Sequence, residues 1–423
     1  MKTQIIILTI AFYGLLPAQT PDTLTLDFCQ RKARENYPLN HQSDLLQSAA
    51  DLKMRNLTTN WYPQLAINGQ STYQSDVTTL PLKIPGITIP EMDPAAYKVT
   101  LDISSTLYDG GLTRRQKLLE NASLRVDKQN VEVELYKLRE RIDRVYFNAL
   151  LLQENEKLLD IMHTEIAARL EVVKSGIRNG VTLQSNADVL SAELIKLEQQ
   201  LLEITLSKQA AFEMLSEHLG QSVAATTVLC VPVLSIASEA LPFIRPELKL
   251  MAFQTQKLGA SRALLSAKLM PRVAVFGQMG YGRPGLNMFS NDFGDFYMLG
   301  LRLNWTPWNW HQTRNDRQWI DLQKSIIQTQ KAALDQNIRI LLKKDLAEIN
   351  KYETLILKDD EIIVLRVRIT RTFSAQLENG IVTATDYLAE LNAETQARLN
   401  KQLHIIQLAK AKANHQFDSG NME

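Results

Sequence analysis

Cysteine is scarce in this chain: Cys29 and Cys230 are the two in 423 residues. Two distant thiols make no disulfide framework, although an exported protein permits a bridge. They read as separate small hydrophobes. Histidine is scarce too. The six histidines show no pair at metal-ligand spacing and none beside a cysteine, so no metal is expected. His163 interrupts a helical seam and reads as a polar residue that fixes register, with pH sensing as the lesser alternative. No Gly-x-Ser-x-Gly elbow and no phosphate loop occur, so no catalytic residue and no cofactor are expected. Gly280–Gly285 has dinucleotide-type glycine spacing. A loop and a second strand follow it, however, not the helix a phosphate would need. Neither sign of charge dominates. Lys plus Arg number 47 and Asp plus Glu 46, a net charge of +1 that speaks against a nucleic-acid partner. Beyond the N-terminus nothing approaches a transmembrane helix of about 18 apolar residues.

What the chain does have begins at Met1–Ala18. Lys2 precedes the apolar run Ile5–Leu16, which reads as a secretory signal with cleavage near Ala18. Leu16 is larger than the residue usual before a cleavage site. A buried N-terminal helix is the alternative. No cysteine follows directly, so a lipid anchor is not expected.

The longest pattern is a heptad seam. Leu135, Leu138, Ile142, Val145, Ala149, Leu152, Leu159, Ile166, Leu170 and Val173 recur at steps of three and four, with Glu156 and His163 as interruptions. No Gly or Pro lies between Leu112 and Ser175, so a helix can run over 112–174, about 96 Å at 1.5 Å per residue. Ser175–Gly180 is turn chemistry, and a return helix is expected over about 183–219. Before the long helix, Leu24–Asn40 opens with Thr25 and Asp27 as capping residues, and a helical pattern continues to about Thr59. Strands are expected at about 63–74 and 96–108. In the second, Val99, Leu101, Ile103 and Leu107 alternate with Lys98, Thr100, Asp102 and Thr106. The Pro- and Gly-rich stretch Leu80–Pro94 reads as a loop.

A proline-bearing connector, 221–246, precedes a second copy of the pattern. A helix over Glu247–Leu269, strands at about 271–281 and 296–306, a long helix at about 311–377 and a return helix at about 383–414 are expected. Residues 19–220 and 247–417 thus form an internal two-fold repeat, with 418–423 as a tail. The class is α+β, mainly α.

Four strands cannot close a barrel, and exposed edges are a hazard. Two-faced strands suit a wall between lipid and water, where only closed barrels are allowed. Sister copies must then complete the wall, and three copies give twelve strands. Aromatic residues flank the strands as interfacial girdles do: Trp61, Tyr62, Tyr73, Tyr97, Tyr108, Trp305, Trp308 and Trp310.

Several motifs lie in a fixed order: Leu24–Asn36, Trp61-Tyr62-Pro63-Gln64-Leu65, Leu107-Tyr108-Asp109-Gly110-Gly111, and Asn179-Gly180 before Asp188-Val189-Leu190. Gly380 before Asp386-Tyr387-Leu388 completes the set. In this order the sequence resembles the TolC-like outer-membrane efflux proteins over nearly all of the chain after the signal. The resemblance implies a homotrimer with a twelve-stranded outer-membrane barrel and a tunnel of antiparallel coiled-coil helices in the periplasm. It implies a passive exit duct for efflux or type I secretion, fed by an inner-membrane transporter through a periplasmic adaptor. The adaptor-contacting turns map to Gly176, Gly180, Thr182, Asn379, Gly380 and Thr383, and the pore constriction to Asp386 and Asp188. The family's gate Arg and second Asp are Val382 and Ala389 here, so an Arg-centred lock is not expected. For both aspartates the alternative is a helix-start charge favoured by the dipole. A coiled-coil scaffold, exported or soluble and without channel activity, is the competing reading for the whole chain. An exported enzyme lacks a catalytic set.

Overall fold

The computed structural model describes residues 23–77, 92–236, 244–287 and 290–420. The expected signal sequence, most of the Leu80–Pro94 loop and the end of the tail lie outside them. Contacts divide the chain into two units, and each draws on both halves of the sequence. One comprises residues 41–134 and 244–337, the other 1–40, 135–243 and 338–423.

The first unit is built around a sheet. Helix α2 (Gln42–Thr58) leads into β2 (Gln64–Tyr73) and β3 (Ala95–Tyr108), then into the start of α3 (Leu112–Arg178). Helix α5 (Pro246–Lys268), β5 (Arg272–Arg283), β6 (Gly294–Asn304) and the start of α6 (Gln312–Glu378) follow the same order. The four strands are antiparallel in the order β2-β3-β5-β6. The two halves of the sequence are joined by β3 and β5, which pair from Tyr97 opposite Arg283 to Tyr108 opposite Val273, with an irregularity at Thr106–Tyr108.

The register puts Leu65, Ile67, Val99, Leu101 and Ile103 on one face together with Met279, Tyr297, Leu299, Leu301 and Leu303. All ten are exposed; Ile67 is 79% and Leu299 77% accessible. The other face is polar and partly covered. There Asp102 accepts hydrogen bonds from Asn68, from Gln278 at 2.6 Å and from Thr100 at 3.2 Å. Two phenyl rings also lie on this face, each over a glycine in the neighbouring strand. A Cβ on Gly280 would come within 2.4 Å of Phe296, and one on Gly300 within 2.7 Å of Phe276. Lys98 and Arg302 sit 4.7 and 4.9 Å from those ring centroids. A sheet in water buries its apolar face. This one exposes it and shelters the polar side.

The second unit is helical. It holds β1 (Thr23–Leu24), α1 (Leu26–Asn36), α4 (Gln184–Leu219), β4 (Val228–Leu229), α7 (Ala384–Ser419) and the later parts of α3 and α6. Thr25 caps α1 by accepting from the Phe28 N–H at 3.3 Å. Tyr37 is extended, as a residue before proline prefers, and Pro38–His41 form a separate 3-10 turn. Strands β1 and β4 form a two-residue parallel pair invisible to periodicity. The hydroxyl of buried Tyr146 lies 2.9 Å from the Leu24 carbonyl and 2.7 Å from that of Cys230, locking this pair to α3. Cys29 and Cys230 are both free thiols, and burial pushes the Cys29 thiol up to about 12.

The seam of α3 faces its partners. Leu135, Leu138, Ile142, Ala149, Leu159, Ile166, Leu170 and Val173 are all buried. Its polar interruption Glu156 accepts from Thr205 at 3.0 Å and pairs with Lys208, both on α4. Helix α3 runs on to Arg178, through the Ser175–Arg178 stretch expected as turn. Helix α7 runs on to Ser419, past Asn414, because Tyr136 stacks on Phe417 at 4.5 Å and its hydroxyl donates to the Phe417 carbonyl. Strand β6 stops at Asn304, so Trp305 follows the strand.

Candidate channel wall and helix-turn tips

The candidate wall is the sheet. Its outward face is a continuous apolar surface bounded at both ends by aromatic side chains. At the end nearest the helices stand Trp61, Tyr62, Tyr108, Trp305, Trp308 and Trp310, every one exposed. Trp305 donates from Nε1 to the Leu269 carbonyl at 3.1 Å, and Trp308 meets Trp310 edge-on at 6.0 Å. The opposite end carries Tyr73, Tyr97, Tyr281 and Tyr297, also exposed. Tyr73 and Tyr97 stand out in the sequence as strand-flanking aromatics; Tyr281 and Tyr297 join them in the fold, each tyrosine offset by two residues in the register from the one on the neighbouring strand. Between Tyr97 and Tyr108 the strand spans about 35 Å at 3.3 Å per residue. A tilt of about 40° reduces that to roughly the 25 Å apolar band of an outer-membrane barrel.

The two tips join α3 to α4 and α6 to α7. Both are closed by the same backbone motif. The Val181 N–H donates to the Gly176 carbonyl at 3.0 Å and Gly180 N–H to Ile177 at 3.0 Å. Ile381 donates to Gln376 at 2.9 Å and Gly380 to Leu377 at 3.1 Å. Gly180 (φ +73°) and Gly380 (φ +68°) supply the left-handed residue that this ending requires. Gly176 therefore acts from within the helix, through its carbonyl.

The tips are brought together. Asn186 accepts from the Ala384 N–H at 3.0 Å and donates to Thr182 Oγ1 at 3.2 Å, tying one turn to the other. Nothing in the sequence marked Asn186. Below the tips, buried Tyr387 donates to Glu165 at 3.0 Å beneath the Arg169 guanidinium, 5.4 Å from the ring centroid. Arg169 also reaches Ser374 and Glu378.

The two aspartates singled out for a constriction are exposed, and each is engaged within its own helix. Thr383 and Asp386 form a reciprocal cap: Thr383 Oγ1 accepts from the Asp386 N–H at 3.2 Å, and Asp386 Oδ2 accepts from the Thr383 N–H at 3.0 Å. The Thr383 hydroxyl, which donates to Asp386 Oδ2 at 2.6 Å, and then the Thr383 N–H hold the Asp386 carboxyl below the usual range. Asp188 accepts from Gln184 at 2.9 Å. The N-cap of α4 is Leu183, which offers no side-chain cap, so the two tips differ at this point.

Among the described residues no three His, Cys, Asp or Glu are grouped to hold a metal, and no helix is long and apolar enough to cross a membrane. The sequence matches no protein-family model and no curated relative. Its fold does match solved structures. The outer membrane protein VceC from Vibrio cholerae aligns with a TM-score of 0.67 at 13% identity, over 93% of this chain and 96% of VceC. The chain has the fold of the TolC-like outer-membrane channels. Two further TolC-like structures agree. The Campylobacter jejuni CmeC channel gives a TM-score of 0.65 at 12% identity over 93% of this chain and 85% of CmeC. The open state of the Neisseria gonorrhoeae MtrE channel gives 0.64 at 14% identity over 93% and 88%. At such identities the TolC-like fold is shared while the side chains are this chain's own.

Proposed function

We propose that this chain is one protomer of a passive exit duct in an outer membrane, with its helices in the periplasm. The observation that carries the reading is the inverted sheet: apolar side chains outward, a hydrogen-bonded polar face inward. Water disfavours that arrangement, and a hydrocarbon exterior around an aqueous lumen requires it. The scaffold alternative has no use for it. The outer edges of β2 and β6 pair with no strand among the described residues. In lipid those edges must be satisfied, and sister copies supply the complementary ones. Three copies give a twelve-stranded barrel. Helix α3 has 67 residues, about 100 Å of rise, which suits a tunnel through the periplasm.

In this reading the tips around Gly176, Gly180, Thr182, Asn379, Gly380 and Thr383 contact a periplasmic adaptor, which delivers substrate from an inner-membrane transporter. Asp386 and Asp188 line the narrow end. Neither catalytic chemistry nor a cofactor is required of a conduit. The test is conductance of the purified mature chain in planar bilayers, with its mass in mild detergent. A trimer with stable ion current supports the duct; a monomer that passes no current refutes it. Asp386→Ala is expected to lower cation preference, since a ring of carboxylates favours cations. Identical currents in the variant would remove Asp386 from the pore.

A further inference from the structure

Two clefts open where the sheet meets the long helices, one in each half of the sequence. The first, about 540 Å³, is lined by Trp61, Tyr108, Arg114 and Lys117. The second, about 380 Å³, is lined by Trp308, His311, Arg314 and Arg317, with Arg262 beside them. Arg114 and Arg314 occupy corresponding positions, as do Lys117 and Arg317, and an aromatic residue walls each cleft.

Most of the surrounding polarity is already engaged. Asp109 accepts from the Gly111 and Thr113 N–H groups at 2.8 and 2.7 Å. Lys117 donates to Thr58 at 2.7 Å, Arg317 to Ser266 at 2.8 Å, and Arg262 pairs with Asp321 at 3.5 Å. Arg114 and Arg314 are exposed and have no ion-pair partner among the described residues. Both clefts are left cationic.

The backbone supplies an independent sign. In the first half the turn into the helix uses Gly110 (φ +69°) and Gly111 (φ +79°). In the second half the same left-handed positions hold Trp310 (φ +49°) and His311 (φ +66°). Side chains with a Cβ are disfavoured there, and such outliers persist where the side chain has work to do. Trp310 is 84% accessible, and its ring meets that of Trp308, which lines the second cleft, edge-on.

We infer that each cleft binds the phosphate group of a membrane phospholipid, an inference that rests on the outer-membrane reading above. Arg114 or Arg314 offers the planar fork that matches phosphate oxygens, and Trp and Tyr rings suit the glycerol level of a bilayer. Continuity favours a lipid over free phosphate. Tyr108, which lines the first cleft, pairs opposite Val273 in the same row as Leu303, an exposed side chain of the outward face.

The test uses the full-length protein, delipidated in detergent and titrated with phosphatidylglycerol, with a galactolipid lacking phosphate, or with inorganic phosphate, and read by native mass spectrometry. Phosphatidylglycerol is expected to be retained about tenfold better than the galactolipid, and the double variant R114Q/R314Q is expected to lose that preference. Inorganic phosphate is expected not to displace the lipid. Equal retention of both lipids, an unaltered preference in the double variant, or displacement by inorganic phosphate each overturns the inference. Bilayer conductance on the same preparations separates the two proposals. Current without lipid preference sinks the clefts and leaves the duct; lipid preference without current supports the clefts and sinks the duct.

Discussion

At the scale of single residues, cost and purpose can be separated. Trp310 occupies a left-handed conformation that glycine fills in the other half. Trp310→Gly is expected to raise stability by about 1 kcal/mol, read as a higher unfolding temperature in detergent. A loss of stability would show that the indole is structural. Asp143 is a second case. It is 5% accessible, accepts a hydrogen bond from Gln30, and burial pushes its carboxyl up to about 6 despite that bond. The folded state holds the proton more tightly than the unfolded chain. The advantage is complete below the ordinary carboxylate range and is lost as pH rises through about 6. Asp143→Asn, which cannot ionise, is expected to stabilise the protein at pH 7.5 by about 1–3 kcal/mol and to flatten its stability between pH 4 and 6. Denaturant titrations at several pH values measure both effects. Neither feature was legible in the sequence. Trp310 read as a girdle aromatic, and Asp143 lies one position past Ile142 on a seam read for its apolar residues.

At the scale of elements, periodicity carries far and pairing does not. The α3 seam and the strand alternation follow from side-chain spacing alone, because 3.6-residue and 2-residue periods leave different marks. The β1–β4 pair is two residues long, too short to have a period. The β3–β5 ladder joins segments separated by a long helical excursion, and nothing local announces it. The tips show both outcomes. Gly180 and Gly380 stood out as turn residues, whereas the link from Asn186 to Ala384 depends on two helix starts meeting in space. Gly380→Val is expected to strain a φ of +68°, costing about 1–2 kcal/mol, and to weaken adaptor crosslinking more than Gly259→Ala on α5. Equal crosslinking in both variants would separate the tip from docking.

At the scale of the whole molecule, the two units have opposite surfaces. The helical unit buries its apolar seam, while the sheet displays its apolar face. Leu301 is 70% accessible on that face. Leu301→Arg is expected to cost about 2–4 kcal/mol if the residue meets lipid near mid-bilayer, and almost nothing if it meets water. Comparing the variant's yield in the membrane fraction with that of Arg302→Leu, on the polar face, distinguishes the two. The direction of the sheet's faces could not be read from alternation, which shows only that two faces exist.

The β3–β5 ladder also sets a condition on biogenesis. Lys98 waits for Gly282, and Thr100 for Gly280, before the middle of the sheet exists. An amino-terminal fragment, however faithfully secreted, holds one hairpin with a bare flank and nothing to zip against. If the sheet is the barrel wall proposed above, its insertion into a bilayer must follow export of the chain through β5, and a chain stopped before Arg272 holds no β3–β5 ladder.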